Sequence, residues 1–234
     1  MYTQSMLTVS ELRSGHPAAP EYLVNIFVIQ RDYGYANNAR LAKWMHVSRS
    51  AVSQAVSRLK TLSLIVQDEY GGVRLTPEGK RLAISVLTRH YLIEHLLVGV
   101  LDYPWDKADE EASRIQETIS DEFAAYLYTY LGEPQTCPHG NPFPDTPVEK
   151  NLVEALRICE LAENDNARVL RITEEGENVP GMLTACYKHH ISPGAEFLIL
   201  KSDDGALRLR SVDGEEAFSL PAKYAKHIRA ESIS

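Results

Sequence analysis

The chain has 234 residues, with 24 Lys and Arg against 32 Asp and Glu, a formal net charge of -8. Taken as one number, that excess of acid excludes a uniformly basic surface of the kind that binds phosphate backbones. The charge is segregated, however: residues 1–90 sum to +5 and residues 91–234 to -13. No run approaches the roughly 20 apolar residues of a membrane span, and no charged head, apolar core and cleavage site mark a signal peptide. With 3 cysteines, Cys137, Cys159 and Cys186, a disulfide framework is not expected and a reducing cytoplasm is.

Residues 1–15 are mixed in character and read as frayed. Tyr22, Leu23, Ile26, Phe27 and Ile29 then recur at helical spacing until Asp32-Tyr33-Gly34. Asn37 or Asn38 can cap a short helix over 39–45, His46-Val47 turns, and Ser48 can cap a second helix over 49–62. On that helix Val52, Ala55, Val56 and Leu59 form one buried stripe. Residues 64–66 and 73–75 read as strands around Tyr70-Gly71-Gly72. A helix-turn-helix followed by a hairpin is a winged helix.

Thr76-Pro77 starts a helix reaching about residue 101, with Thr as cap and Pro at its first position. A further helix is expected over 107–131, with Ala112, Ile115, Ile119, Phe123, Leu127 and Leu131 on one stripe, either core or dimer seam. Five prolines between 134 and 147 mark a stiff connection. A short helix follows over 151–161. Beyond 167 the period becomes two, with strands over 169–172, 196–200, 207–209 and 216–220, hairpin turns at 203–205 and 213–214, and a helix over 182–189. The chain therefore divides into 1–75, a winged-helix domain; 76–148, a helical domain with a proline-rich linker; and 149–234, a small β-barrel.

The winged helix points to double-stranded DNA. The second helix of such a module enters the major groove, so Arg49 can read guanine and Gln54 adenine. Ser48, Ser50 and Ser53 lie at the same end. Arg58, Lys60 and, from the wing, Arg74 suit phosphate contacts. The +5 of residues 1–90 coincides with this module. A protein-binding winged helix is the alternative use of the same fold. A different chemistry is scattered along the rest of the chain. His90 and Glu94 share a helix face. Cys137 and His139 are spaced so that both can meet one ion. Glu174 and Glu175 follow the first barrel strand.

These segments resemble the diphtheria-toxin-repressor family of metal-dependent transcriptional regulators, in its manganese-responsive branch with a C-terminal barrel. The likeness covers about residues 20–231. It is carried by Glu21-Tyr22-Leu23, Val52-Ser53-Gln54-Ala55-Val56, Leu75-Thr76-Pro77-Glu78-Gly79, Arg89-His90 with Glu94, Ile119-Ser120-Asp121-Glu122, Cys137-Pro138-His139-Gly140-Asn141-Pro142 and Ile191-Ser192-Pro193-Gly194. The resemblance implies a mainly α fold with a little β: a winged helix-turn-helix, a helical dimerisation domain and an SH3-like (FeoA-like) β-barrel. It implies a homodimer that binds operator DNA and represses metal-uptake genes, with Mn2+ or Fe2+ as cofactor and Zn2+ or Cd2+ able to substitute. One metal site would take Glu94, Cys137, His139 and a barrel carboxylate, Glu174 before Glu175, with His90 near enough to join. A second would use Glu21, Gln116 and Glu117, where Ser113, Gln116 and Glu117 depart from the family's ligand pattern. The competing reading is a winged-helix regulator with Cys137 as a redox switch. No nucleophile–base pair or Gly-rich phosphate loop is visible, so no enzymatic activity is expected.

Overall fold

A computed structural model describes residues 7–200, 207–212, 214 and 216–233. It divides into two compact units, Met1–Arg89 and His90–Ser234. The turn expected at 203–205, and residue 213 of the next one, lie outside the described residues. No helix among the described residues is long and apolar enough to cross a membrane.

The first unit opens with α1 (Val9–Gly15), where a frayed segment was expected. A reciprocal cap explains it: the Thr8 hydroxyl accepts from the Glu11 amide at 3.2 Å, and the Glu11 carboxylate accepts from the Thr8 amide at 2.8 Å. α2 (Ala19–Tyr33) buries Leu23, Ile26 and Ile29 completely. Asn37 caps α3 (Asn38–Trp44), and Ser48 caps α4 (Arg49–Thr61), its hydroxyl accepting from Ala51 at 3.1 Å. The two-residue strand β1 (Ala36–Asn37) was too short to register as a pattern. It pairs antiparallel with β3 (Gly72–Leu75), which also pairs with β2 (Ile65–Gln67). Val52, Val56 and Leu59 of α4 are buried against this core, while Ala55 is half-buried.

α5 (Pro77–His95) begins in the first unit and ends in the second, followed by a π-helical turn over Leu96–Val100. Its start depends on Gly79, where an added Cβ would lie 2.0 Å from the Leu64 carbonyl oxygen. That approach accounts for Gly in the Thr-Pro-Glu-Gly segment.

The second unit departs from the expected helix over 107–131. There are two helices, α6 (Ala108–Ile115) and α7 (Asp121–Tyr130). Ser120 caps α7 by accepting from Phe123 at 3.1 Å. A side chain that satisfies a helix start favours a new helix over continuation. The break puts Gln116, Glu117 and Ile119 outside both helices. α8 (Glu149–Glu154) is followed by β4 (Leu156–Arg157), β5 (Asn166–Ile172), α9 (Glu174–Glu177), α10 (Met182–Lys188), β6 (Glu196–Leu200), β7 (Leu207–Ser211), β8 (Ala217–Leu220), α11 (Ala222–Ala225) and β9 (Ile228–Ile233). The strands form a six-stranded antiparallel sheet of order β4-β9-β5-β6-β7-β8. Its core gathers Val169, Ile172, Phe197, Leu209, Ile228 and, from α10, Met182 and Cys186. β9 lies inside the sheet, yet its sequence carries no strand signal. Its pairing with β5 shifts register between Val169 and Arg171, and Ile228, Arg229 and Ala230 are buried in succession, so no alternation appears.

Candidate metal centre and nucleic-acid interface

The last turns of α5 carry His90 and Glu94 into the second unit. Glu94 is completely buried, and so is His139; Cys137 is nearly so. Ligand atoms of Glu94, Cys137 and His139 lie within 4.8 Å of one another. The Cys137–Pro138–His139–Gly140 turn closes with the Gly140 amide donating to the Cys137 carbonyl at 2.9 Å. The Ile172 amide then donates to the His139 carbonyl at 2.8 Å, and Asn141 Nδ2 donates to the Ile172 carbonyl at 2.8 Å. The ligand-bearing loop is thus fastened to the end of β5. Gly140 sits at φ +90°, and a Cβ there would stand 2.3 Å from the Leu170 carbonyl oxygen. Gly140→Ala is expected to cost about 3 kcal/mol or more, as an incompatible backbone position does. The measurement is the urea midpoint of the intact chain, and an unchanged midpoint contradicts this account of the loop.

The imidazole of His139 is oriented by Trp105. His139 Nε2 lies 3.0 Å from the Trp105 carbonyl, which can only accept, so Nε2 bears hydrogen. The indole of Trp105 covers the ring edge-on at 4.4 Å and donates from Nε1 to the Pro138 carbonyl at 2.9 Å. Nδ1 is left facing Glu94 Oε1 at 2.9 Å and Glu177 Oε1 at 3.5 Å. At those distances neither Nδ1 of His139 nor either oxygen of Glu94 makes a hydrogen bond of acceptable geometry. Buried polar atoms without such bonds are costly, and Glu94 and His139 with ligand atoms within 4.8 Å of each other and of the Cys137 thiol fit a cation. Donation from the other, non-coordinating ring nitrogen to a carbonyl is the usual support of a metal-bound imidazole.

Electrostatics agree. Burial raises the Cys137 thiol well above its ordinary pKa, and the carboxylates of Glu94, Glu177 and Glu174 raise it further. Burial works against a charged His139, but Glu94 outweighs it and raises that pKa as well. Burial likewise opposes ionised Glu94, yet the imidazoles of His139 and His90 hold its pKa low. Cys137 and His139 thus hold their protons more tightly than usual, and an incoming cation must displace them. A neutral, buried thiol is also a poor nucleophile, which speaks against Cys137 as a redox switch. Cys186 is pushed up to about 12 by burial, and all three cysteines are free thiols.

The other expected ligands are distributed as follows. His90 Nε2 lies 3.5 Å from Glu94 Oε1 and 3.2 Å from Asp109 Oδ1, so His90, Glu94 and Asp109 form a cluster sharing Glu94 with the first. Glu174 accepts the Tyr91 hydroxyl, and Glu175 faces His227 at 3.7 Å. Among the acids of α9, Glu177 is the one placed 3.5 Å from His139, and Asn141 Nδ2 donates to it at 2.6 Å. Glu21 is exposed on α2 of the first unit. Gln116 and Glu117 belong to the second, where Gln116 donates to the Ser113 carbonyl at 3.4 Å. Sequence reasoning missed Asp109, Glu177 and Trp105. Only Glu177 had an available signal: it lies one helical turn beyond Glu174, on the same face.

In the first unit, Ser48, Arg49, Ser50, Ser53, Gln54, Arg58 and Lys60 are all exposed along α4 and its cap, and Arg74 is exposed on β3. Asn38 Nδ2 donates to Ser53 Oγ at 3.3 Å and steadies the turn side of the helix.

Two family models match: an iron-dependent repressor N-terminal DNA-binding domain over residues 17–73, and an iron-dependent repressor metal-binding and dimerisation domain over residues 76–145. The chain is 28% identical over 222 residues to the iron-dependent repressor IdeR of Mycobacterium tuberculosis, covering 91% of this chain and 96% of that one. It is 32% identical over 161 residues to the diphtheria toxin repressor of Corynebacterium efficiens, covering 67% and 70%. A solved manganese-dependent transcriptional repressor in complex with manganese superposes with a TM-score of 0.75 at 28% identity, covering 92% of this chain and 100% of that chain. With a winged helix, a buried carboxylate–thiol–imidazole cluster and a C-terminal antiparallel sheet in that order, the chain belongs to the iron-dependent repressor family of the diphtheria toxin repressor.

Proposed function

We propose that this protein is a homodimeric, metal-dependent repressor that acts in the cytoplasm and binds operator DNA through α4 and the β2–β3 wing, taking Mn2+ or Fe2+ at Glu94, Cys137 and His139. The observation that carries it is the convergence of those three buried donors. Carboxylate, imidazole and thiolate together suit Mn(II) and Fe(II), and accept Zn(II) or Cd(II) as well. When bound, the cation supplies the positive charge that holds a thiolate, a neutral imidazole and carboxylates in one place. The donors come from the end of α5 and the Cys137–Gly140 turn, with Glu177 of α9 beside them. Trp105 holds His139 in the coordinating tautomer, and Asn141 holds Glu177. α5 is also the chain's direct continuation from the wing, so ordering its end bears on the segment leading out of the DNA-binding unit. A 100-fold tighter hold on the DNA-competent form amounts to about 2.7 kcal/mol of coupling, and DNA then tightens metal binding equally.

Duplexes enriched from a random pool in the presence of Mn(II) provide the test in a gel-shift titration. Binding at least tenfold weaker in EDTA is expected, and Arg49→Ala combined with Gln54→Ala should remove preference for the enriched sequence. Binding indifferent to both chelator and Mn(II) would falsify the reading.

Dimerisation is assigned to α7. Phe123, Tyr126 and Tyr130 are 42%, 64% and 61% exposed on one face, and the two tyrosine rings stack at 6.1 Å. Exposed aromatics in such a row are interface anchors. Tyr126→Glu should weaken the dimer by about 100-fold or more, on the scale of a hot-spot loss near 2–3 kcal/mol. Sedimentation equilibrium reads this directly, and an undisturbed dimer places the seam elsewhere.

A further inference from the structure

The donors of the metal centre are out of solvent's reach, so a hydrated cation needs a way in. Within the same unit a cleft of about 160 Å³ opens beside them. Its walls carry the carboxylates of Asp106, Asp109, Glu110 and Glu177, and no Lys or Arg lines it among the described residues. Two of these walls reach the buried donors themselves. Asp109 Oδ1 is 3.2 Å from His90 Nε2, and Glu177 Oε1 is 3.5 Å from His139 Nδ1. Behind them both oxygens of the completely buried Glu94 lack acceptable hydrogen bonds. Asp106 directly follows Trp105, whose carbonyl orients His139, and Thr184 Oγ1 fixes Asp106 by donating to Oδ2 at 3.1 Å. Glu110 stands at the rim, 74% exposed, and shares Arg114 with Glu111.

We propose that this cleft is the entry route for divalent cations, with Asp106 and Glu110 as its outer, attracting carboxylates and Asp109 and Glu177 as the inner pair that passes the ion to Glu94, His139 and Cys137. The proposal rests on the metal-centre reading above. A cleft of one charge with low-dielectric walls raises the local concentration of counter-ions, and with it the association rate, by about 10- to 1,000-fold. Outer carboxylates that make no bond to the seated ion act on arrival far more than on the final affinity. Their effect must also fade with salt, since the screening length falls from about 10 Å at 0.1 M to about 3 Å at 1 M.

The test is stopped-flow mixing of Mn(II) with the metal-stripped, full-length protein, with a fluorescent chelator reporting free Mn(II). The double variant Asp106→Asn, Glu110→Gln should associate about tenfold more slowly at low ionic strength, with a difference under about twofold at 0.5 M salt. The equilibrium constant should change much less than the rate. The double control Glu154→Gln, Glu163→Gln, two exposed residues outside the cleft with the same total change of charge, should match the wild type. Equal rates for double variant and wild type at low salt overturn the route. So does a slowing that persists undiminished at high salt, because that is structural rather than electrostatic. A wild-type chain that takes up no Mn(II) at equilibrium instead overturns the metal centre itself.

Discussion

Glu94→Gln is expected to weaken Mn(II) binding by at least 100-fold, about 2.7 kcal/mol, and to abolish the metal dependence of DNA binding. Gln keeps the size of Glu, and the loop that carries Cys137 and His139 is closed by its own backbone bonds and by Asn141, so it should stay closed. What it removes is the negative charge that both imidazoles face, at 2.9 Å from His139 and 3.5 Å from His90. A neutral amide oxygen is a poor partner for a dication in a buried site. The change should also lower the elevated pKa of His139, because Glu94 is what raises it against burial. Isothermal titration with Mn(II), paired with NMR titration of the His139 ring, reads both effects. Full affinity in this variant would remove Glu94 from the centre and leave Cys137 and His139 without their anchoring charge.

Metal affinity should also depend steeply on pH. In the metal-free protein His139 titrates above its ordinary pKa and Cys137 well above its own, both with Glu94 as a cause. Binding needs the imidazole neutral and the thiol ionised, so the metal-bound form holds fewer protons and affinity rises with pH. Below the raised pKa of His139, two protons leave, and the logarithm of the affinity should gain about 2 per pH unit. Above it only the Cys137 proton remains, and the gain should fall to about 1. Cys137→Ser should remove that residual slope along with much of the affinity. The measurement is Mn(II) titration from pH 6 to about pH 8.5 in buffers of different ionisation enthalpy, which counts protons released. A flat affinity across that range is incompatible with a thiolate ligand at Cys137.

The α7 seam and the Gly140 turn bear on different parts of the same device. In the proposed reading the turn would place two donors on one side of the ion, and the seam would pair two copies of the DNA-binding helix. Half-sites about 34 Å apart are what such a pair reads.

Much of this is legible in the amino-acid sequence. The Ser48 cap and the Val52, Val56 and Leu59 stripe fix α4 locally, because a cap and a 3.6-residue period act within one helix. The cysteine and histidine of Cys-Pro-His-Gly are legible as a candidate ligand pair because they are only two residues apart, while the hold of Gly140 against β5 is visible only in the structure. Where the sequence misleads, the cause is competition between local signals. The apolar stripe from Ala112 to Leu131 suggests one helix, but Ser120 supplies a cap that starts a second. Glu174 and Glu177 are both acidic and lie on one helical face, so nothing along the chain ranks them.

Their ranking comes from docking. Tyr91 takes Glu174, Asn141 takes Glu177, and only the latter approaches His139. Asp109 meets His90 across nineteen positions, and β9 enters the sheet beside β5 from the far end of the chain. The sequence by itself determined the winged helix, the basic and acidic halves and the donor types, since each rests on short-range periodicity, capping and composition. The tertiary structure alone decided which carboxylates face the imidazoles and where a cation can enter, because those depend on contacts between residues whose separation along the chain carries no local signal.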